Sequence, residues 1–258
     1  MYNEKDIISK WNSEMYDCTE TDTNDVDFAL SVIGGKPKRI LEIACGSGRF
    51  LVPMANAGHN VTGLDFDEHM LNRIATKISS TQNISWHKSD VINDEWGTGF
   101  DIVLLVANFL SNIVSDIDYE KAQELMIKKS AEALVSGGYV LIDYAHTFYP
   151  EKWFNNPNPN IVWQGTDSEG NSGKMILFNN TYDTETGIAK CIRRFEMTLA
   201  DGSSLIQEIP TEKHFATLEQ VRDWLERAGF VIESEWGDYQ GNPISENTSR
   251  AIIWAKKK

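Results

Sequence analysis

Residues 39–65 read RILEIACGSGRFLVPMANAGHNVTGLD. The run 40–43 is short, mostly apolar and rich in β-forming residues, which predicts a buried strand rather than a helix. A glycine turn over 46–48 follows, and apolar residues then recur at helical spacing. A second strand over 60–64 ends at Asp65. This order of strand, glycine loop, helix, strand and acid indicates the opening βαβ unit of a nucleotide-binding α/β fold.

The chemistry of such a unit explains the spacing of these residues. Glycines allow a ligand to approach the backbone closely, and the helix that follows presents N–H groups to an anionic group. Asp65 follows Gly46 by 19 residues, near the spacing of about 20 at which an acid meets the ribose hydroxyls. Leu51 stands where a dinucleotide site has its third glycine, and Glu42 lies inside the first strand. Both departures argue against a bound pyrophosphate.

Two of these segments resemble a known enzyme family. EIACGSGR (42–49) and GLDFDEHML (63–71) resemble the first two motifs of the class I S-adenosylmethionine-dependent methyltransferases. Later segments resemble the family's remaining strand motifs in the same order: HKSDV (87–91), FDIVLLVANFL (100–110), ALVSGGYVLID (133–143), GFVIESEWGDY (229–239) and SRAIIWAK (249–256). The resemblance implies a doubly wound, mostly parallel, seven-stranded Rossmann-like sheet, with S-adenosylmethionine as cofactor and S-adenosylhomocysteine as product. Gly137 and Gly138 are expected to precede the fifth strand.

The resemblance also implies which residues contact the cofactor. Asp65 takes the ribose, Asp90 takes the adenine amino group, and Val91 offers a backbone N–H. Phe66 and Met70 wall the adenine, although core packing is an alternative for Met70 and a turn role is an alternative for Asp90. The full expected set is Glu42, Ala44, Gly46, Gly48, Arg49, Asp65, Phe66, Met70, Asp90, Val91, Val106 and Asn108. Asn108 faces either the methionyl end of the cofactor or the acceptor.

The expected domains are an α/β core over 1–147 and 217–258 and an insertion over 148–216. The insertion carries four stretches of β character, and DTETG (183–187) and ADG (200–202) are hairpin turns. We therefore expect an antiparallel β insertion after the fifth strand that covers the substrate or forms a dimer surface. The N-terminal helical arm is expected either to close over the cofactor or only to pack against the core.

Bulk composition restricts the class of protein. With 38 acidic and 24 basic residues the net charge is −14, so nucleic-acid substrates and anionic membranes are disfavoured as partners. No apolar run approaches the length of about 18 residues that spans a bilayer. Three scattered cysteines suit neither a disulfide framework nor a zinc site, so no metal is expected and a cytoplasmic location is favoured. A small or cationic acceptor fits this composition, and a homodimer stays open.

Methyl transfer from a sulfonium requires donor and acceptor in line, and an amine acceptor must lose a proton. His146, three residues beyond the expected fifth strand, is the first candidate for the base, and His214 is the second. Tyr144 and its neighbour Tyr149 are expected to orient the acceptor, and Tyr16 of the N-terminal arm stands, by the resemblance, where the family often has a site tyrosine. For the histidine, simple packing is the alternative.

We therefore expect a methyltransferase that acts on an amine or hydroxyl of a small molecule, resembling amino-sugar and glycine N-methyltransferases. A regulator that binds S-adenosylmethionine without catalysis and a nicotinamide-dependent oxidoreductase are the alternatives.

Overall fold

A computed structural model describes residues 4–79, 83–156 and 158–258. The helices are α1 (Glu4–Thr19), α2 (Asn24–Ile33), α3 (Leu51–Asn56), α4 (Glu68–Ile74), α5 (Tyr119–Ala133), α6 (Pro150–Phe154) and α7 (Leu218–Arg227). The strands are β1 (Arg39–Ile43), β2 (Asn60–Asp65), β3 (Ile84–Lys88), β4 (Phe100–Leu105), β5 (Leu134–Ala145), β6 (Asn160–Thr166), β7 (Ser172–Asp183), β8 (Ile188–Thr198), β9 (Ser204–His214), β10 (Phe230–Trp236) and β11 (Arg250–Lys257). They divide into two compact units.

The larger unit comprises residues 23–148 and 216–258. Its seven-stranded sheet has the order β10-β11-β5-β4-β1-β2-β3. The strand pairs from β3 across to β5 are parallel, and β11 runs antiparallel to both β5 and β10. Apolar clusters cover both faces of the sheet, as expected for strands that are buried on two sides. The expected doubly wound, mostly parallel sheet is thus confirmed.

Parallel pairing determines where a ligand site can form. The carboxyl ends of β1, β2, β4 and β5 meet at one edge of the sheet, and β11 begins at that edge because Arg250 pairs with Ala145. We call this the carboxyl edge. Ligands of open α/β sheets bind outside the carboxyl ends of the strands. The loops that follow β1, β2, β4 and β5 are therefore the first place to look for the site.

The smaller unit comprises the described part of residues 1–22 together with 149–215. Strands β6 to β9 form an antiparallel sheet in sequence order, as the hairpin turns predict. Helix α1 packs against this sheet, and Trp11 is fully buried there beside Phe195. The sequence placed this helical arm with the α/β core. The structure groups it with the insertion because its apolar face matches apolar residues of β7, β8 and β9.

Strand β5 begins earlier than the sequence predicts. Gly137 and Gly138 lie inside it rather than before it. A Cβ on Gly138 would stand 3.0 Å from the carbonyl oxygen of Val135 and 3.1 Å from that of Asp101. Close backbone approach therefore accounts for this glycine in a strand. In the described part of the chain, no helix is both long and apolar enough to cross a membrane.

Candidate functional site

The loop after β1 carries the glycines of the opening motif. Ala44, Gly46 and Gly48 all adopt left-handed backbone, with φ of 56°, 53° and 83°. A Cβ on Gly46 would meet no atom within 4 Å, whereas one on Gly48 would press on Ile74 and Val52 at 3.1 and 3.2 Å. The two glycines therefore serve different purposes. Gly48 allows the loop to pack on α4, and Gly46 leaves open space above the backbone at the carboxyl edge.

Asp65 at the end of β2 is 9% exposed. One carboxylate oxygen accepts a hydrogen bond from the Gly46 N–H and the other accepts one from the Asp67 N–H, both at 2.8 Å. Burial raises the pKa of this carboxyl, and the two N–H groups oppose the shift. Each oxygen retains capacity for a further donor. Asp65 is thus fixed in place and can still accept hydrogen bonds from a ligand.

Glu42 is a buried acid within β1, with 3% exposure. Its Oε2 has no hydrogen-bond partner among the described residues. Burial raises the pKa of Glu42 well above its usual value, and the positive charge of Arg49 opposes the shift. A buried acceptor without a donor is costly, so this oxygen is suited to a cationic or N–H group supplied from outside the protein.

Arg49 is held by the first helix of the larger unit. Its two terminal nitrogens donate to the two carboxylate oxygens of Asp25 on α2, at 2.7 and 2.6 Å. Forked pairing of this kind fixes the orientation of the guanidinium. Arg49 was predicted from the sequence, whereas Asp25 was not, because 24 residues separate the partners.

The loop after β3 is a compact turn built on Asp90. The Asp90 side chain accepts hydrogen bonds from the N–H of Ile92 and from the side chain of Asn93, and the Asn93 bond in particular holds the pKa of Asp90 below its usual value. Lys129 on α5 closes the turn by donating to the carbonyl oxygens of Val91, Ile92 and Asp94. Asp90 therefore has the turn role that the sequence left open, while its side chain remains exposed.

The loop after β4 contains two consecutive left-handed residues, Ala107 and Asn108, with φ of 54° and 62°. The Asn108 side-chain oxygen accepts the N–H of Ala145 at 2.7 Å and lies 3.4 Å from the Arg250 guanidinium. That oxygen therefore joins β4 to β5. Val106, just before this turn, is buried in the core.

A buried polar cluster lies beside Asn108 that the sequence analysis did not identify. Asp143 accepts a hydrogen bond from Arg250 at 2.6 Å and one from the Tyr239 hydroxyl at 3.1 Å. Burial raises the pKa of Asp143, whereas Arg250 and Tyr239 favour its charged form. An aspartate within the apolar strand YVLID was a usable signal for this cluster.

Two of the three predicted catalytic residues, Tyr144 and His146, lie together, with ring centroids 6.1 Å apart. Tyr144 is 1% exposed inside the cluster beneath α5 and α7, and its hydroxyl has no hydrogen-bond partner among the described residues. Its role in orienting the acceptor stays a prediction. His146 is buried at the end of β5, with its Nε2 unpartnered among the described residues and Phe148 against its ring at 4.9 Å. Tyr16 belongs to the smaller unit, where its ring contacts the edge of Trp163.

Comparison with known proteins agrees with this geometry. Residues 40–138 match the family model of the methyltransferase domain. The chain carries a methyltransferase domain. The candidate methyltransferase YqeM of Bacillus subtilis (strain 168) is 24% identical to this chain over 225 residues, which cover 85% of this chain and 84% of YqeM.

Two solved structures share the fold of this methyltransferase. A S-adenosylmethionine-dependent methyltransferase from Clostridium acetobutylicum ATCC 824 superposes with a TM-score of 0.72 at 17% identity, covering 95% of this chain and 96% of that chain. The sugar N-methyltransferase KedS8 from Streptoalloteichus sp ATCC 53650 superposes with a TM-score of 0.71 at 15% identity, covering 94% and 91%. The family and enzyme class expected from the sequence are confirmed.

The residues at the carboxyl edge fit the cofactor that the resemblance implies. Glu42 offers a buried oxygen without a donor, which suits the amino group of a methionyl chain. Gly46 leaves open space, and Asp65 stands at the strand tip where a ribose would lie. Phe66 beside it is 70% exposed and offers an apolar surface to a base, and Met70 is partly buried at the start of α4.

Proposed function

We propose that this methyltransferase transfers a methyl group from S-adenosylmethionine to an amine or hydroxyl of a small molecule. The observation that carries the cofactor assignment is the buried, unpartnered oxygen of Glu42 beneath a glycine loop that is open at Gly46. The acidic balance of the chain favours a neutral or cationic acceptor over a polyanion. The fold shared with a sugar N-methyltransferase supports a small acceptor.

Each end of the cofactor has residues that suit it. Asp65 accepts the ribose hydroxyls, and Glu42, with Arg49 nearby, receives the methionyl group. The adenine lies against Phe66 and Met70, near the turn of Asp90 and Val91. When bound, S-adenosylmethionine supplies an electrophilic methyl group on a sulfonium. The protein's contribution is to hold the acceptor in line with that methyl group, because positioning can lower such a barrier by about 7–11 kcal/mol.

His146 is the proposed general base, which accepts a proton from the substrate that receives the methyl group. Burial lowers the pKa of His146, with a smaller contribution from Arg222 that is opposed by Glu219, so the imidazole is neutral near pH 7. A neutral imidazole with an unpartnered Nε2 can accept a proton from an amine or hydroxyl. Tyr144 remains the predicted acceptor-orienting residue beside His146, and Tyr16 remains a predicted site residue of the N-terminal arm.

Calorimetric titration tests the cofactor assignment. Wild type is expected to bind S-adenosylmethionine and S-adenosylhomocysteine but not NADH, and Asp65→Ala is expected to lose this binding. Glu68→Gln is the matched control, because Glu68 begins α4 three residues further along the chain and its only ion pair among the described residues is the exposed one with Lys88. Binding of NADH in place of both methionine derivatives would support the oxidoreductase alternative. Equal binding by wild type and Asp65→Ala would contradict the proposed ribose contact.

Turnover tests the reaction itself. A panel of amines, amino sugars, phenols and carboxylic acids is offered with S-adenosylmethionine, and S-adenosylhomocysteine formation is followed. We expect turnover on at least one amine or hydroxyl compound, and His146→Ala should lower kcat and remove its low-pH limb while KM changes little. Cofactor binding without turnover on the whole panel would favour a regulator. A pH profile that is unchanged in His146→Ala would exclude the proposed base.

A further inference from the structure

The two faces of the smaller unit's sheet differ in whether their positively charged side chains form ion pairs. On one face the cations of β7 and β8 are paired with glutamates. Lys174 and Arg194 reach Glu196 at 2.8 and 2.9 Å, and Lys190 reaches Glu212 at 2.8 Å. These are half-exposed ion pairs of the ordinary surface kind, and each contributes little to stability. They account for the cations on that face.

Arg193 points to the opposite face. Arg193 is two residues from Phe195, so both side chains lie on the same face of β8. Phe195 packs against Trp11 of α1, which places Arg193 on the face that α1 partly covers. The strand register places it between Leu177 of β7 and Ile209 of β9. The side chain is half-buried and its Nε is buried with no hydrogen-bond partner. Over residues 4–79, 83–156 and 158–258, no ion pair or hydrogen bond engages this guanidinium.

Lys213 on β9 lies on the same face as Arg193. Lys213 is opposite Ala189 of β8. Along β8, Cys191 lies midway between Ala189 and Arg193, and all three point to the same face. Burial and the positive charge of Arg193 both lower the pKa of Lys213. Lys213 and Arg193 in turn oppose the burial that raises the pKa of the Cys191 thiol. Cys191, Arg193 and Lys213 thus share one face of β8 and β9, and we refer to them together as the basic patch.

Partial burial of a guanidinium that has no acceptor has a free-energy cost, because it removes water that would otherwise solvate the charge. The chain carries 38 acidic residues, yet Arg193 is paired with none of those described. An anion from outside the protein would supply the acceptor that Arg193 lacks among the described residues. A guanidinium beside an ammonium is the donor set that binds phosphate and carboxylate oxygens in proteins.

We propose that the basic patch is a binding site for the oxyanion of a small molecule, a phosphate or a carboxylate. Arg193 donates from its planar guanidinium, and Lys213 contributes a second positive charge. The proposal stands apart from the proposed methyl transfer, since it concerns residues of the insertion alone. Anion binding at this patch and cofactor binding at the carboxyl edge can each succeed or fail without the other.

Titration with inorganic phosphate, pyrophosphate and acetate tests the site and separates the two sources of oxyanion. The variants are Arg193→Gln, Arg193→Lys and Lys213→Met. Arg194→Gln is the matched control, because it removes the same group one residue along the strand on the opposite face. We expect Arg193→Gln to weaken the preferred anion by at least about tenfold, since a charge-assisted hydrogen bond is lost. Arg193→Lys should retain part of the affinity, and Arg194→Gln should behave as wild type.

Equal anion affinity in wild type and Arg193→Gln would overturn the proposal, as would an equal loss in Arg194→Gln. Cys191 provides a second measurement that needs no substitution. Iodoacetamide reacts with the thiolate, and an anion beside Cys191 raises its pKa and slows alkylation. The Cys191 peptide should therefore be labelled more slowly in phosphate or acetate, whereas the exposed Cys18 should not change. If both peptides respond alike to the anions, the site does not exist.

Discussion

The guanidinium of Arg49, which follows the glycine loop, donates two parallel hydrogen bonds to the carboxylate of Asp25 on α2, with N–O distances of 2.7 and 2.6 Å. Arg49 also holds the pKa of the buried Glu42 below the value that burial alone would give. One residue therefore connects α2, the glycine loop and the buried acid of β1. The orientation of Arg49 thus depends on a helix that is remote from the loop in sequence.

Arg49→Met is expected to weaken S-adenosylmethionine binding by about tenfold or more, because the pKa of Glu42 rises and its anionic form is lost. Asp25→Asn should have a smaller effect in the same direction, since Arg49 keeps its charge and loses its fixed orientation. Calorimetric titration measures both. Lys88→Met is the control, as Lys88 forms an exposed ion pair with Glu68, and a similar loss there would point to a general charge effect.

Glu42→Gln should stabilise the protein without cofactor at alkaline pH. The pKa of folded Glu42 lies well above its ordinary value because of burial, so the folded state binds its proton more tightly than the unfolded state. This contribution to stability is complete below the ordinary glutamate pKa and is lost as pH rises through the raised value. The difference in melting temperature between Glu42→Gln and wild type should therefore grow from pH 5 to pH 8.

The same substitution should weaken cofactor binding, because the neutral amide attracts an ammonium group less than a carboxylate does. Stability and affinity are thus expected to change in opposite directions at pH 8. Glu132→Gln, at an exposed position on α5, provides the comparison for both measurements. A melting-temperature difference that does not vary with pH would contradict the raised pKa of Glu42.

Lys129→Met should loosen the turn that carries Asp90 and Val91. The ammonium group donates to three carbonyl oxygens, at 2.7 Å to Val91, 3.1 Å to Ile92 and 2.7 Å to Asp94. We expect the free energy of unfolding to fall by about 1–3 kcal/mol and hydrogen exchange to rise over residues 90–94. Urea unfolding and exchange mass spectrometry measure these changes, with the exposed neighbour variant Lys128→Met expected to remain close to wild type.

Trp11→Ala should destabilise the smaller unit. Its ring is fully buried, lies 6.3 Å from the ring of Phe195, and its indole N–H donates to the Gly165 carbonyl at 3.2 Å. Truncation of a buried tryptophan costs about 3–5 kcal/mol, so cleavage within 149–215 by limited proteolysis should accelerate. Lys5→Ala, on the exposed side of α1, should cleave as wild type. Faster cleavage confined to 23–148 would contradict the grouping of α1 with the insertion.

Features that depend on neighbouring residues were predictable from the sequence. Thr217 and Gln220 have the three-residue spacing typical of a capping box and form one at the start of α7, and Asp67 caps α4 through the N–H groups of His69 and Met70. The glycine loop and the hairpin turns were located for the same reason, because a local sequence specifies a local backbone shape.

Features that depend on distant pairs were not predictable. Arg250 meets Asp143 across 107 positions of the chain, and a single sequence gives no register for β11. The faces to which successive side chains of β5 point were also not predicted from the sequence. Tyr144 and Asp143 are adjacent and therefore point to opposite faces, so the tyrosine enters the core while the aspartate joins the polar cluster. His146 could be placed after the strand, but not on a face.

The grouping of α1 with residues 149–215 affects how the protein is made. Trp11 emerges from the ribosome long before Phe195, its neighbour on β8. At about 5–20 residues per second, the delay is roughly 10–40 s. Until β6 to β9 have been synthesised, the apolar side of α1 lacks its partner strands, while β1 to β5 can already begin to pair. A chaperone can therefore bind the apolar side of α1 in the growing chain during this time.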